Sequence, residues 1–229
     1  MLIFLNMPSR RLPLVNNEIY HIFNRGITFQ PVFIDKRDYR RGIGLMKFYS
    51  VLNPSVRYSQ FMLLSQNNQM MLLEENKGKD RLVDILAYCL MPNHFHFLLK
   101  QNMENGIEEF VRKFEISYTR YFNVKRNRRG PLLQGQFKNV LIENDSQIMQ
   151  VSRYIHLNPY TSHLINDYTL LQRYDWSSFK DYITSSKSVL TSTDLISSLF
   201  IGKNVYREFV LDHADYQRRL GDIKHLIFE

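Results

Sequence analysis

A chain of 229 residues, 44% hydrophobic and 14% aromatic, has the length and apolar content for one sizeable core, or for one core plus an appendage. Its 30 Lys and Arg against 22 Asp and Glu leave a formal charge of +8, the footprint of a protein that meets polyanions, without separating DNA from RNA or from an anionic membrane. The single cysteine, Cys89, excludes an intramolecular disulfide and a cysteine zinc finger, no segment approaches the ~18 uninterrupted apolar residues of a membrane span, and a reducing, cytoplasmic setting is expected.

In chain order, the apolar opening Met1–Asn6 is too short for a signal-peptide core, and Met7 offers an alternative start. Glu18 to Ile27 alternates as a strand, with Ile19, His21, Phe23 and Arg25 on one face and Gly26 ending it. Asp35 is placed to cap a helix running to about Val51, stopped by Asn53-Pro54. Between residues 55 and 80 the apolar clusters Phe61–Leu64 and Met70–Glu74 predict a strand followed by a short helix, with Lys77–Asp80 an exposed loop. The continuous apolar run Leu82–Leu90 predicts a central, buried strand.

Met91-Pro-Asn-His-Phe-His-Phe-Leu-Leu-Lys100 reads as the next strand. A period of two puts His94 and His96 on one face and turns Phe95, Phe97 and Leu99 into a core. Pro92-Asn93 makes a turn-like entry that places the pair at a strand end. Taken alone, His-x-His is most simply two half-buried histidines bonded to backbone. A shared metal ion is the sharper reading and needs support from elsewhere in the chain.

Gly106–Asn123 is an amphipathic helix, with Ile107, Phe110, Val111, Phe114, Tyr118 and Tyr121 recurring at spacings of three and four and Arg112, Lys113 and Arg120 on its outer face. The loop Lys125-Arg-Asn-Arg-Arg-Gly130 is too polar for a core. Such a run is most often a solvated face. Here it follows a basic helix and precedes Gln134-Gly-Gln-Phe-Lys138, so Lys125, Arg126, Arg128 and Arg129 read as phosphate contacts. Phe137–Ile142 predicts another strand, and Asn144-Asp-Ser146 caps a helix beginning near Gln147.

In that helix Tyr154 and Asn158 stand at i and i+4 and share a face, beside a buried stripe of Ile148, Val151 and Ile155, and Pro159 ends the pattern. Tyrosine and amide are either a packed aromatic and a C-cap, or a nucleophile placed beside a metal ligand. A phenol titrates near ~10 and attacks a phosphate only when a cation polarises it. His94, His96 and the Asn158 carboxamide oxygen would supply three corners of such a site, a donor set without thiolate that suits a hard divalent ion better than zinc. Tyr118 and Tyr121 belong to an apolar stripe and read as core. His156 falls on a different helix face from Tyr154, as a structural residue or a DNA contact. His21 reads as a strand histidine facing the helices, on a strand that can adjoin the His pair; Arg25 is assigned to DNA, and Trp176 to an aromatic cluster closing the domain. Ser185–Thr193 has linker composition, and Asp194–Phe200, Val205–His213 and Gln217–Phe228 read as short amphipathic helices that either add DNA contacts or fold over the active site.

Together, Tyr20-His-Ile-Phe-Asn-Arg-Gly26, Met91-Pro-Asn-His-Phe-His96, Gln134-Gly-Gln-Phe-Lys138 and Arg153-Tyr-Ile-His-Leu-Asn-Pro159 resemble the single-tyrosine HUH transposases. Within them the resemblance is to the transposase-like proteins associated with repetitive extragenic palindromes, over roughly residues 8 to 183. It implies an α+β, ferredoxin-like fold whose central antiparallel sheet carries helices on one face, as a catalytic domain over 1–183 with a linker and helical tail over 184–229. It implies a nucleoid-associated homodimer in which the tyrosine helix of one subunit can serve the metal site of the other. The implied activity is cleavage and strand transfer of single-stranded DNA beside a hairpin, through a covalent 5′-phosphotyrosine with release of a free 3′-OH. By motif, Tyr154 is the nucleophile and His94, His96 and Asn158 hold Mg²⁺ or Mn²⁺. Gln136 stands where relatives often carry Arg and, with Lys138, joins Arg25, Arg112, Lys113, Arg120 and the basic loop as expected DNA contacts. The competing readings are a domesticated DNA-binding regulator and a hydrolytic metal-dependent phosphoesterase.

Overall fold

The computed structural model describes residues 13–51, 54–77, 80–184 and 188–219. The apolar opening Met1–Asn6, the alternative start at Met7, Asn53 of the expected helix stop, residues 78–79 of the expected loop, residues 185–187 of the expected linker and residues 220–228 of the third tail helix lie outside them. Strands β1 (Ile19–Arg25), β2 (Val83–Met91), β3 (His94–Gln101) and β4 (Lys138–Ile142) form one antiparallel sheet in the order β2-β3-β1-β4. Helices α1 (Lys36–Tyr49) and α4 (Gly106–Lys125) make the two crossovers, which is the split βαβ arrangement of ferredoxin-like folds. Asp35 caps α1 as its sequence position predicts, accepting from the Arg37 and Asp38 amides in a capping box closed by Asp38.

Between α1 and β2 the structure departs from the expected strand: α2 (Tyr58–Phe61) is a single helical turn and α3 (Gln66–Lys77) a longer helix. Phe61-Met-Leu-Leu64 does not alternate. Phe61 packs on Phe48 at 5.1 Å between ring centroids and Leu64 packs against the same core, while Met62 and Leu63 are exposed, so the cluster serves the core at a spacing of three, not two.

β2, expected at the centre, is an edge strand. It is as apolar as a central strand because both faces are buried and its outer edge is closed: Leu90 donates to the Trp176 carbonyl at 2.9 Å, Ser178 to that of Tyr88 at 3.0 Å and Ser192 to that of Ile85 at 2.9 Å. Residues 188–193 of the expected linker therefore lie as a strap along this edge, with Leu190 in the core and the hydroxyls of Ser188 and Thr191 on the Asp181 carboxylate.

The helices occupy both faces of the sheet, not one. On the first face Tyr20, Ile22, Phe95, Phe97 and Leu99 pack with α1 and α4. On the second, Ile19, Ala87, Cys89, Met91 and Leu98 pack with α5 (Asp145–Thr161), α6 (Phe179–Ile183), α7 (Asp194–Ser198) and α8 (Lys203–Leu211). Both residue parities of β2 and β3 are apolar, so each face needs a cover, and a bulge between Ile85 and Ala87 turns Leu86 as well as Ala87 toward the second layer. Tail residues Ile196, Tyr206, Val210 and Ala214 share that second core with α5. Pro159 sits inside α5 instead of ending it; the helix runs on to Thr161, with Ser162 N bonding Asn158 O at 3.0 Å. No helix among the described residues is long and apolar enough to cross a membrane.

Candidate active site

The β2–β3 turn is fixed from three sides. The Pro92 carbonyl accepts from Val32 and Phe33 at 2.6 and 2.9 Å, and the Asn93 carbonyl from Gly26 at 2.8 Å. Gly26 is required there, because a Cβ on it would meet the Gln30 carbonyl at 2.2 Å. His94 opens β3 immediately after this turn. Register then sets Arg25 opposite His94 and Phe23 opposite His96. α5 crosses the same sheet face and brings Tyr154 and Asn158 over the pair. His21, Arg25, His94, His96, Tyr154 and Asn158 line one cleft of about 1020 Å³.

The His94 and His96 rings lie 5.0 Å apart at 84°, and the Tyr154 ring stands edge-on to His96 at 5.3 Å with 42% of the residue exposed to the cleft. Asn158 Nδ2 donates to the Tyr154 carbonyl at 2.9 Å, and a carbonyl needs a donor, so Oδ1 is the atom turned toward His94. His94 Nδ1 bonds the Asn93 side-chain oxygen at 2.7 Å, which requires Nδ1 to carry the proton. His94 Nε2 then presents a lone pair to Asn158 Oδ1 at 3.5 Å. Two acceptors face one another.

Burial holds His21 and His94 at about 4 and His96 well below the usual imidazole range, with Arg25 pushing both members of the pair down further and Asn158 drawing His94 back up. All three imidazoles are thus neutral at pH 7, the form that ligates metals. Burial raises the Tyr154 phenol, while Asn158 and the Arg25 guanidinium draw it back. The phenol is therefore not activated by the protein alone. Among the described residues no group of three or more His, Cys, Asp or Glu side chains is placed to hold a metal ion. A cation in the cleft would draw on the Asn158 amide as well as the imidazoles, and the facing acceptors together with neutral imidazoles fit a divalent cation.

The ten residues expected at DNA do not form one surface. Arg25 lines the cleft, its guanidinium 5.0 Å over the Phe29 ring, and Lys138 pairs across β4 with Phe23 at the cleft's side of the sheet. Arg112, Lys113, Arg120 and Lys125 line a second groove of about 960 Å³, with Arg41 and Arg57 and no carboxylate residue in its wall, on the α4 side of the sheet. Lys113 also pairs with Glu109 at 2.5 Å. Lys125 and Arg126 are bound to the buried Asp38 at 2.8 and 2.5 Å, and Arg128 holds the Asn123 side chain and the Gly130 and Pro131 carbonyls. Arg129 and Gln136 are exposed.

His156 is wholly buried and bonded through both ring nitrogens, to Ser178 Oγ at 2.8 Å and Tyr206 OH at 2.7 Å, so its role is structural. Tyr118 and Tyr121 spend their hydroxyls on the Val32 carbonyl and Asp38 and stand away from the cleft. Sequence reasoning put His21 on a strand that can adjoin the His pair but gave it no part in the site; its Nε2 lies 2.9 Å from His96 Nδ1. The available signal was register, since Phe23 faces His96 and His21 shares the face of Phe23 one pleat along.

Residues 45–158 match the family model described as "Transposase IS200 like", a span that contains His94, His96, Tyr154 and Asn158 but not β1. No curated protein matches the chain. A solved structure of a REP-associated tyrosine transposase bound to a REP hairpin is similar at a TM-score of 0.48 and 13% identity, covering 82% of this chain and 93% of that one.

Proposed function

We propose, on the premise that residues 45–158 belong to the IS200-like transposase family, that this chain cuts and rejoins single-stranded DNA at hairpin-flanked sites with Tyr154 as nucleophile. The observation that carries the reading is the convergence in one cleft of an exposed phenol, two neutral imidazoles and an amide oxygen turned toward one of them. His94, His96 and Asn158 would hold Mg²⁺ or Mn²⁺, which supplies Lewis-acid polarisation of the scissile phosphate when bound. The Tyr154 Oη–phosphorus bond forms as the phosphorus–O3′ bond breaks. The phenol proton leaves through the open side of the cleft, and the departing 3′ oxygen takes up a proton from solvent. Arg25 favours the phenolate and, from the wall of the cleft, would meet a phosphate oxygen. Attack by a second 3′-OH reverses the step and joins strands.

The DNA is long enough to leave the cleft. Lys138, Gln136 and Arg129 offer exposed contacts, and Arg112 and Arg120 offer phosphate contacts in the second groove on the other side of the sheet, where Lys113 and Lys125 are already paired with Glu109 and with Asp35 and Asp38. Arg126 and Arg128 have internal partners and contribute mainly by holding the loop. The resemblance to dimeric transposases extends the proposal to a homodimer, checked by sedimentation.

The test is the polarity of cleavage. A hairpin oligonucleotide labelled on the 3′ side of the cut should leave its label on the protein, while the 5′-side fragment carries a 3′-OH that a polymerase extends. Two free fragments with no label on the protein would mean attack by water.

A further inference from the structure

His21 lies in β1, before the residues 45–158 that match the family model, lines the cleft, and takes no part in the cut described above. A neutral imidazole has one N–H. His21 Nε2 and His96 Nδ1 stand 2.9 Å apart, both residues buried, so one nitrogen carries a proton and the other accepts it. If His21 donates, His96 keeps its own proton on Nε2 and has no lone pair for the cleft. If His96 donates from Nδ1, His21 accepts, keeps its proton on Nδ1, and His96 Nε2 is open. The second arrangement repeats that of His94, whose Nδ1 is anchored on Asn93 Oδ1. Packing fixes the ring planes as well: His21 stacks on His96 at 5.1 Å and 26°, and Phe23 abuts both rings at 5.1 and 5.7 Å.

We propose that His21 is a positioning residue: by accepting from His96 Nδ1 it fixes the tautomer and ring plane of His96, so that Nε2 is presented to the divalent cation. This rests on the cation reading of the cleft. A buried polar pair with no role in the site would also satisfy both nitrogens, so the test separates hydrogen bonding from bulk. His21→Phe keeps the ring and removes the acceptor, whereas His21→Gln keeps an acceptor oxygen on a different side chain.

Mn²⁺ affinity is measured by calorimetry on wild type and both variants, each shown by circular dichroism to unfold cooperatively. His21→Phe should weaken Mn²⁺ binding about 10–100-fold, the usual loss when a ligand histidine's outer partner is removed, and His21→Gln should stay much closer to wild type. The wild-type His96 tautomer is read independently by ¹⁵N NMR at pH 7.5, with the proton expected on Nδ1. Wild-type affinity in His21→Phe, or a His96 proton on Nε2, would overturn the proposal. Absence of Mn²⁺ binding by the wild type would sink the cation reading and this proposal's metal role with it, while the NMR result would still decide which imidazole donates.

Discussion

His94 Nε2 and Asn158 Oδ1 confront each other across 3.5 Å, each turned there by a bond on its far side. Asn93 holds the His94 proton on Nδ1, and the Tyr154 carbonyl holds the Asn158 amide by its Nδ2. Such a contact between acceptors is unfavourable in a half-buried cleft unless a cation shares it. His94→Ala and His96→Ala should abolish cleavage, and EDTA should do the same to the wild type. Asn158→Ala should weaken Mn²⁺ binding while leaving DNA binding in place. Cleavage at full rate in EDTA would contradict the cation.

Six cationic side chains line the second groove, of which Lys113 and Lys125 are paired with carboxylates just outside its wall. Arg112→Gln with Arg120→Gln should weaken DNA binding for every sequence alike and lower the salt slope by about 0.7 per lost contact on single strands. Adduct formation at saturating DNA should be unaffected, because the groove and the Tyr154 cleft lie on opposite faces of the sheet. An unchanged salt slope, measured by fluorescence anisotropy, would mark the groove as solvated surface.

Tyr154, His94, His96 and Asn158 meet within one chain, and α5 is tied down beside Tyr154 by the His156 bonds to Ser178 and Tyr206 and by Arg153 lying 3.6 Å over the Phe209 ring. A mixture of Tyr154→Phe and His94→Ala chains should therefore show no recovered cleavage, even where subunits exchange. Recovered activity in the mixture would mean that the tyrosine helix crosses to a partner.

Asp38 and His156 give the fold a pH signature. Asp38 is wholly buried; burial alone would raise its carboxyl, but Arg126 and Lys125 hold it at about 2. Its stabilisation is present above the unfolded value near ~3.9 and is lost as pH falls through about 2. Burial pushes His156 down to about 3, so below pH ~6.5 the unfolded chain binds a proton that the folded chain refuses. Urea unfolding should show stability falling by about 1.4 kcal/mol per pH unit for this histidine alone, and His156→Gln should flatten the slope by one proton. Asp38→Ala removes the buried acceptor of Lys125 and Arg126, both part-exposed and both still beside Asp35, and should cost about 1–3 kcal/mol at pH 7.

Much of the candidate site was legible because its signals are local. Period two put His94 and His96 on one face, and i,i+4 spacing put Tyr154 with Asn158. What was illegible depends on partners far along the chain. Lys125 and Arg126 look like free phosphate contacts until Asp35 and Asp38, some ninety residues earlier, are seen to neutralise them. His21 meets His96 across 75 residues. An apolar run such as β2 is equally apt for the centre of a sheet or for an edge that the chain later covers, and the strand expected before it was two helices because Met62 and Leu63 face solvent. Pro159 misled because proline near a helix end costs only one internal bond, which α5 tolerates for two more residues.

The most direct test of the central claim is the identity of the residue that becomes joined to DNA. A single-stranded hairpin oligonucleotide is incubated with the chain and Mn²⁺, denatured in SDS, and the adduct is digested with trypsin and sequenced by mass spectrometry. The expected result is one modified peptide containing Tyr-Ile-His-Leu-Asn-Pro, with the mass on Tyr154, and no adduct from Tyr154→Phe, which should still bind the hairpin. Cleavage by Tyr154→Phe at the wild-type rate, or an adduct on any other residue, would contradict it.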